Sequence, residues 1–140
     1  MRARGYATDM ADYTKLNLKR DVEDMAPKFD LSPGLESHFA RAPLELENSG
    51  VSLYKIAPDF RTPFGHRHGE QEEVYVVVSG NARLKIEDDV LELEQWDAVR
   101  IPGPAMRCLE GGSQGAEVLA FGAPNTDNKD AEMVPGWWSD

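Results

Sequence analysis

The chain is predicted to be all-β, a sandwich or closed barrel of short antiparallel strands. Three features of the 140-residue sequence carry that expectation. Apolar residues recur at every second position from about Glu36 onward, and Pro, Gly, Asn and Asp cut those runs into short pieces. Helical periodicity is almost absent. One domain accounts for a chain of this length, which can bury about two-thirds of its unfolded surface without a disulfide or structural metal.

Residues 1–20 are polar, with one short strand expected around Lys15–Leu18. Asp21-Val-Glu-Asp-Met-Ala sets an N-cap residue before acidic first-turn positions, enough for a single helical turn. Pro27 and then Ser32-Pro33-Gly34 stop any continuation. The first alternating runs are Leu44-Glu-Leu-Glu and Val51-Ser-Leu-Tyr-Lys-Ile, the second ended by Pro58-Asp59. A hairpin is expected at Ala82–Glu94. With Asp88-Asp89 as a two-residue loop, Glu87 faces Val90, Ile86 faces Leu91, Lys85 faces Glu92 and Leu84 faces Leu93, giving one aliphatic face. Further strands are expected at Val74–Val78, Ala98–Ile101, Met106–Leu109 and Val118–Phe121. Beyond Gly122 the sequence turns polar and ends in Val134-Pro-Gly-Trp-Trp-Ser-Asp. Two exposed indoles are unfavourable in water, so Trp137 and Trp138 are expected to pack on the barrel or on a second subunit.

Acidic residues outnumber basic ones by 25 to 15, for a net charge of −10. Such a surface repels phosphate backbones, so neither nucleic acid nor an anionic membrane is an expected partner. No run approaches the roughly 20 apolar residues that span a bilayer. The basic start has no apolar segment behind it, unlike a secretory signal. Cys108 is the only cysteine, which precludes an intrachain disulfide and suits a reducing compartment. A cytoplasmic protein is expected.

The chemistry is concentrated in Gly65-His-Arg-His-Gly-Glu-Gln-Glu-Glu-Val-Tyr-Val-Val-Val-Ser-Gly80. His66 and His68 are two apart, so both imidazoles leave one face of an extended strand. Such a pair suits a borderline divalent metal such as Fe, Mn, Ni or Zn. Glu73, Tyr75 and Val77 share a face of the next strand, which places a carboxylate at the end of an apolar row. Two histidines and one carboxylate make a facial set with open positions. The bland alternative is a pair of buried, hydrogen-bonded histidines and a solvated Glu73 within Glu70-Gln-Glu-Glu. Gln71 and Tyr75 share the parity of Glu73, and Phe64 that of the histidines, so all three are candidate pocket residues. Tyr54 reads as barrel packing and His38, without a partner at metal-ligand spacing, as structural.

The segment resembles the first motif of the cupin superfamily: His-x-His, then Glu after four residues and Gly after six more. Here those are His66, His68, Glu73 and Gly80, with Phe60 where the motif's leading Gly stands. The second motif is matched in part. Pro102 is present, Trp96 and Pro104 replace glycines, and Arg107 stands where the third metal-binding histidine is found. The resemblance implies a double-stranded β-helix, a jelly-roll barrel often dimeric. It also implies a barrel at 44–123, an irregular N-terminal arm and first strands at 1–43 that pack on or swap to a partner barrel, and a C-terminal tail at 124–140.

Arginine stays protonated and offers only donors, so Arg107 cannot ligate a metal. Two outcomes follow if it points inward. Either His66, His68 and Glu73 hold a divalent metal and Arg107 anchors a small anionic metabolite, with oxygenase or isomerase chemistry as the family's suggestion. Or a Glu73–Arg107 ion pair replaces the metal in a non-catalytic ligand-binding or sensor cupin. The remaining possibility is an outward surface arginine. Cys108, next to it, should then take the opposite face as a small core residue. No phosphate loop, nucleophile elbow or Cys-x-x-Cys is present.

Overall fold

The structure is a computed structural model that describes residues 3–4 and 11–140. A short two-stranded pair, β1 (Ala3–Arg4) and β2 (Asp12–Tyr13), precedes eight strands: β3 (Leu35–Phe39), β4 (Gly50–Ile56), β5 (Phe64–His68), β6 (Glu72–Ile86), β7 (Asp89–Glu94), β8 (Ala98–Ile101), β9 (Arg107–Ala123) and β10 (Ala131–Pro135). Two of them, β6 and β9, run long enough to serve both halves of the molecule. The first half of β6 lies between β8 and the second half of β9, which continues to β4 and β3. The second half of β6 lies between β7 and the first half of β9, and that end of β9 meets β5 and then β10. Two facing antiparallel layers therefore share two bent strands, the form of a jelly-roll barrel. Leu35, Ile56, Tyr75, Val77, Leu84, Ile101 and Val118 fill the space between them.

The bend in β6 is local chemistry. Its ladder with β9 slips between Val77 and Ser79 and again between Gly80 and Ala82. Gly80 has φ 73°, and Gly115, next to its ladder partner Ala116, has φ 71°. Such bulges re-aim a strand, and glycine takes the left-handed conformation without a steric penalty.

Several local expectations shift. The strand expected at Lys15–Leu18 is absent, and β2 lies just before it. The helical turn is a 3-10 helix over Ala26–Phe29, because Pro27 suits a first helical turn rather than ending one. Leu44–Glu47 is not a strand: Arg41–Leu44 forms a helical turn closed by Glu45 at φ 60°. The hairpin forms with a shifted register, Ile86 facing Asp89, Lys85 facing Val90, Leu84 facing Leu91 and Arg83 facing Glu92. Glu87 causes it, clamping the Met106 backbone: its N–H donates to Met106 O at 2.9 Å and its Oε1 accepts from Met106 N at 2.6 Å. The slip is by two residues, so every side chain keeps its face. Met106–Leu109 and Val118–Phe121 are stretches of one strand, β9, apart from Met106 itself.

Trp137 and Trp138 pack on the barrel's outer face. Trp137 lies against Gly65, where a Cβ would come within 2.7 Å of the indole. The Arg61 guanidinium sits 4.2 Å over Trp138 and the Lys85 ammonium 4.6 Å over Trp137. Buried Glu110 links the same region, accepting from Arg61 at 2.7 Å and Arg83 at 2.5 Å. Among the described residues no helix is long and apolar enough to cross a membrane.

A Cβ on Gly80 would lie 2.0 Å from the Gly115 carbonyl oxygen. Gly80→Ala should therefore destabilise by at least about 2 kcal/mol in urea unfolding. Trp96 is the contrasting case: it occupies a motif-glycine position with φ 74° and is 69% exposed. Trp96→Gly should cost less than about 1 kcal/mol, since the lost strain offsets the gained chain entropy.

Candidate metal and ligand site

β5 delivers His66 and His68 from one face, and the loop 69–71 returns the chain so that Glu73 enters near the start of β6 on the inner face. Its neighbour Glu72 points outward to Arg100 at 3.5 Å. Glu73 Oε1 is the centre of the site. It lies 3.3 Å from His66 Nε2 and 3.5 Å from His68 Nε2. The Tyr75 hydroxyl donates to it at 3.4 Å. The two imidazoles stand edge to face with centroids 5.2 Å apart. One donor atom from each of His66, His68 and Glu73 lies within 4.8 Å of the others.

Arg107 settles against the outward alternative: its residue is fully buried, at 0% exposure, and it pairs across the ladder with His66. Nη2 reaches Glu73 Oε1 at 3.6 Å, Nη1 donates to the Gly103 carbonyl at 3.2 Å, and Nε has no partner. Cys108 is buried on the other face, donating to Thr62 O at 3.3 Å. Burial pushes its thiol up to about 12, which leaves it inert.

The tail supplies a residue that no sequence motif marks. Asp130 Oδ1 lies 3.1 Å from His68 Nδ1 and accepts the Thr126 hydroxyl at 2.6 Å. Its Oδ2 takes the N–H groups of Glu70 and Gln71 at 3.0 Å each. Strand β10, directly after it, pairs Ala131 with His68 and Met133 with His66. Nothing in Asn125-Thr-Asp-Asn-Lys-Asp announces this role; it arises from pairing between distant segments.

The other candidates divide. Tyr75 lines the site. Gln71 is buried, but its Nε2 donates to Pro124 O at 3.2 Å and its carboxamide packs on Gly122. Phe64 opens β5, half-buried and paired with Pro135. His38 is structural, its Nδ1 donating to Val22 O at 2.8 Å. Tyr54 packs against the core and edge-on to Phe39, with ring centroids 6.1 Å apart.

Electrostatics follow from that crowding. Burial pushes the Glu73 carboxyl up, but the contacts of both histidines and the charges of His66 and Arg107 outweigh it and hold the group at about 2. For Asp130, burial is again outweighed, by Thr126, two backbone N–H groups and His68, leaving it well below the usual carboxylate range. Burial pulls His68 down, yet its carboxylate partners raise it overall. Burial, then the Glu73 charge, raises both Tyr54 and Tyr75, so both remain neutral phenols.

No protein-family model matches the chain, and no curated protein does. Solved structures match over most of its length. A cupin protein from Bacteroides fragilis superposes with a TM-score of 0.67 at 22% identity, over 84% of this chain and 88% of that one. KdgF from a Halomonas species gives 0.63 at 18%, over 81% and 95%. The protein has the cupin fold. A salicylate 1,2-dioxygenase from Pseudoaminobacter salicylatoxidans also matches, with a TM-score of 0.65 at 11% identity, over 81% of this chain but only 33% of the dioxygenase.

The donor set fits a divalent ion. Two ligands about 2.1 Å from one ion and 90–109° apart are separated by about 3.0–3.4 Å, close to the two histidine–Glu73 distances. The Asp130 contact leaves His68 Nε2 facing inward, as a carboxylate on the far nitrogen does for a metal-bound histidine. Arg107 opposes this with its own charge, but Glu73 and Asp130 together exceed it.

Because the Glu73 pKa is lowered on folding, its contribution is present above the ordinary value of 4.5 and is lost as pH falls towards about 2. The metal-free protein should therefore lose about 3 kcal/mol more over that window than Glu73→Gln, read as the shift in urea midpoint with pH. Parallel curves for the two proteins would contradict this assignment.

Proposed function

We propose that this cupin binds a divalent cation through His66, His68 and Glu73 and uses the loaded site to capture a small anionic metabolite. One observation carries the reading: two imidazole Nε2 atoms and one carboxylate oxygen converge at 3.3 and 3.5 Å. His66 is the exposed edge of the cluster, with 24% of its side chain accessible against 4% for His68, so a ligand would arrive on that side. Fe, Mn, Ni and Zn all accept such a donor set. When bound, such an ion supplies Lewis-acid polarisation of a carbonyl or, if redox-active, oxygen chemistry, which supports an isomerase or oxygenase activity. A loaded site carries net positive charge from the ion and Arg107, which favours an anion. Arg107 contributes charge and the unpaired Nε–H, its terminal nitrogens being directed at Glu73 and backbone carbonyls. Neutral Tyr75 offers a proton donor beside the carboxylate.

Proteins of the same fold act on or bind small organic molecules: a dioxygenase structure carries gentisate adducts and Streptomyces PAC13 was solved with uridine. We extend the reading to a cytoplasmic homodimer. Phe121, 43% exposed and flanked across the ladder by Val51 and Val74, supports a second copy on the outer face of that sheet. Residues 11–16 would then be what reaches towards the partner, since Val22 and Ala26 are buried in this chain's own core and β3 pairs with its own β4.

A second reading rests on the 3.6 Å approach of Arg107 Nη2 to Glu73. Here the guanidinium takes the cation's place and the barrel is a metal-free ligand-binding or sensor protein.

Titration calorimetry of chelator-stripped protein with Fe(II), Mn(II), Ni(II) and Zn(II) separates the two. The metal reading expects saturable binding of one ion per chain, weakened at least about tenfold in His66→Ala and His68→Ala. Absence of saturable uptake for all four ions, together with a gain of uptake in Arg107→His, would leave only the metal-free protein.

A further inference from the structure

Asp130 lies outside the motif-bearing segments, yet its carboxylate is saturated. Oδ2 accepts two backbone N–H groups, and Oδ1 accepts the Thr126 hydroxyl and faces His68 Nδ1 at 3.1 Å. An ionised carboxylate has only acceptor sites, so the nitrogen beside it must carry the proton. The residue is held from both sides. Its own carbonyl accepts the Gly69 N–H at 3.1 Å, and strand β10, pairing with β5, begins at the next residue. Asp130 thus reads the edge of His68 opposite the one that faces Glu73 Oε1 at 3.5 Å.

We infer that Asp130 is a positioning residue that fixes His68 as the Nδ1–H tautomer and presents the bare Nε2 lone pair to the cation site, making the C-terminal segment part of that site. Its consequence for metal affinity rests on the metal-binding reading above; the tautomer itself does not. The alternative tautomer would place a proton on Nε2, where a ligand bond has to form, and would set two acceptors face to face at 3.1 Å at Nδ1, a closer conflict than the 3.5 Å between Nε2 and Glu73 Oε1. Glu70 and Gln71, whose N–H groups the same carboxylate holds, form the loop between His68 and Glu73, so one side chain fixes both the ring and the segment that brings in the third ligand.

Two-bond proton–nitrogen correlation spectra of the 15N-labelled, metal-free chain test this, recorded where the rings are neutral. The chain has three histidines, so the His68 ring is assigned by comparison with His68→Gln. The expected pattern is a protonated Nδ1 and a bare Nε2. Asp130→Asn retains an oxygen for the two backbone N–H groups but turns an amide donor towards Nδ1, and should reverse the pattern and weaken Zn(II) binding about 10- to 100-fold. Thr126→Val, which loosens the same loop and keeps the carboxylate, should preserve the wild-type tautomer. A wild-type ring protonated at Nε2, an unchanged tautomer in Asp130→Asn, or a reversed one in Thr126→Val would each overturn the inference. If the wild-type chain takes up no Zn(II), the metal reading fails, and the spectra still decide the role of Asp130.

Discussion

A carboxylate inside an apolar barrel has to be surrounded by positive charge or donors, and Glu73 organises the site through that requirement. Four side chains from two strands besides its own region converge on Oε1: His66 and His68 from β5, Arg107 from β9, and Tyr75 two residues along β6. Removing water from an ionised carboxylate is unfavourable by several kcal/mol unless such partners replace it. His68 in turn stands between two carboxylates, Glu73 and Asp130. With its Nδ1–H directed at Asp130, an imidazole in that position turns Nε2 towards a cation shared with Glu73.

The architecture explains how these groups meet. Strands β6 and β9 each serve both layers, so a residue near the end of one strand lies beside the mouth of the other layer. The Gly80–Gly115 bulge turns β6 between its two sets of partners. Arg107 begins β9 opposite His66, and β10 closes over the far edge of β5. On the outer face, Trp137, Trp138, Arg61, Lys85 and Glu110 fix the end of the tail to the barrel. The segment carrying Asp130 is therefore tied down on both flanks, by strand pairing after it and by loop 69–71 beside it.

How much of this could be read in the sequence depended on the range of the forces involved. Strand parity is local and period two, so it identified the shared face of His66 and His68 and the inward direction of Glu73. The hairpin shows where local reasoning stops. Two aspartates suggest the turn, but Glu87 takes the left-handed position at φ 50° because Met106, distant in sequence, clamps it. The two-residue slip preserved every face, so the core expectation survived an incorrect register. Leu44-Glu-Leu-Glu was too short a pattern to exclude a helix end. The inward burial of Arg107 required knowing that it pairs with His66, and Asp130 became visible only once β10 lay against β5. Neither long-range pairing has a periodic or compositional signature.

The central claim is that Glu73, His66 and His68 surround a cation rather than an ion pair alone. Anomalous diffraction at the absorption edge of the soaked metal, on crystals of the chelator-stripped protein loaded with Mn(II) or Zn(II), measures it directly. One dominant peak is expected about 2.0–2.3 Å from His66 Nε2, His68 Nε2 and a Glu73 carboxylate oxygen. A featureless map there, with Arg107 still closed on Glu73, would contradict it.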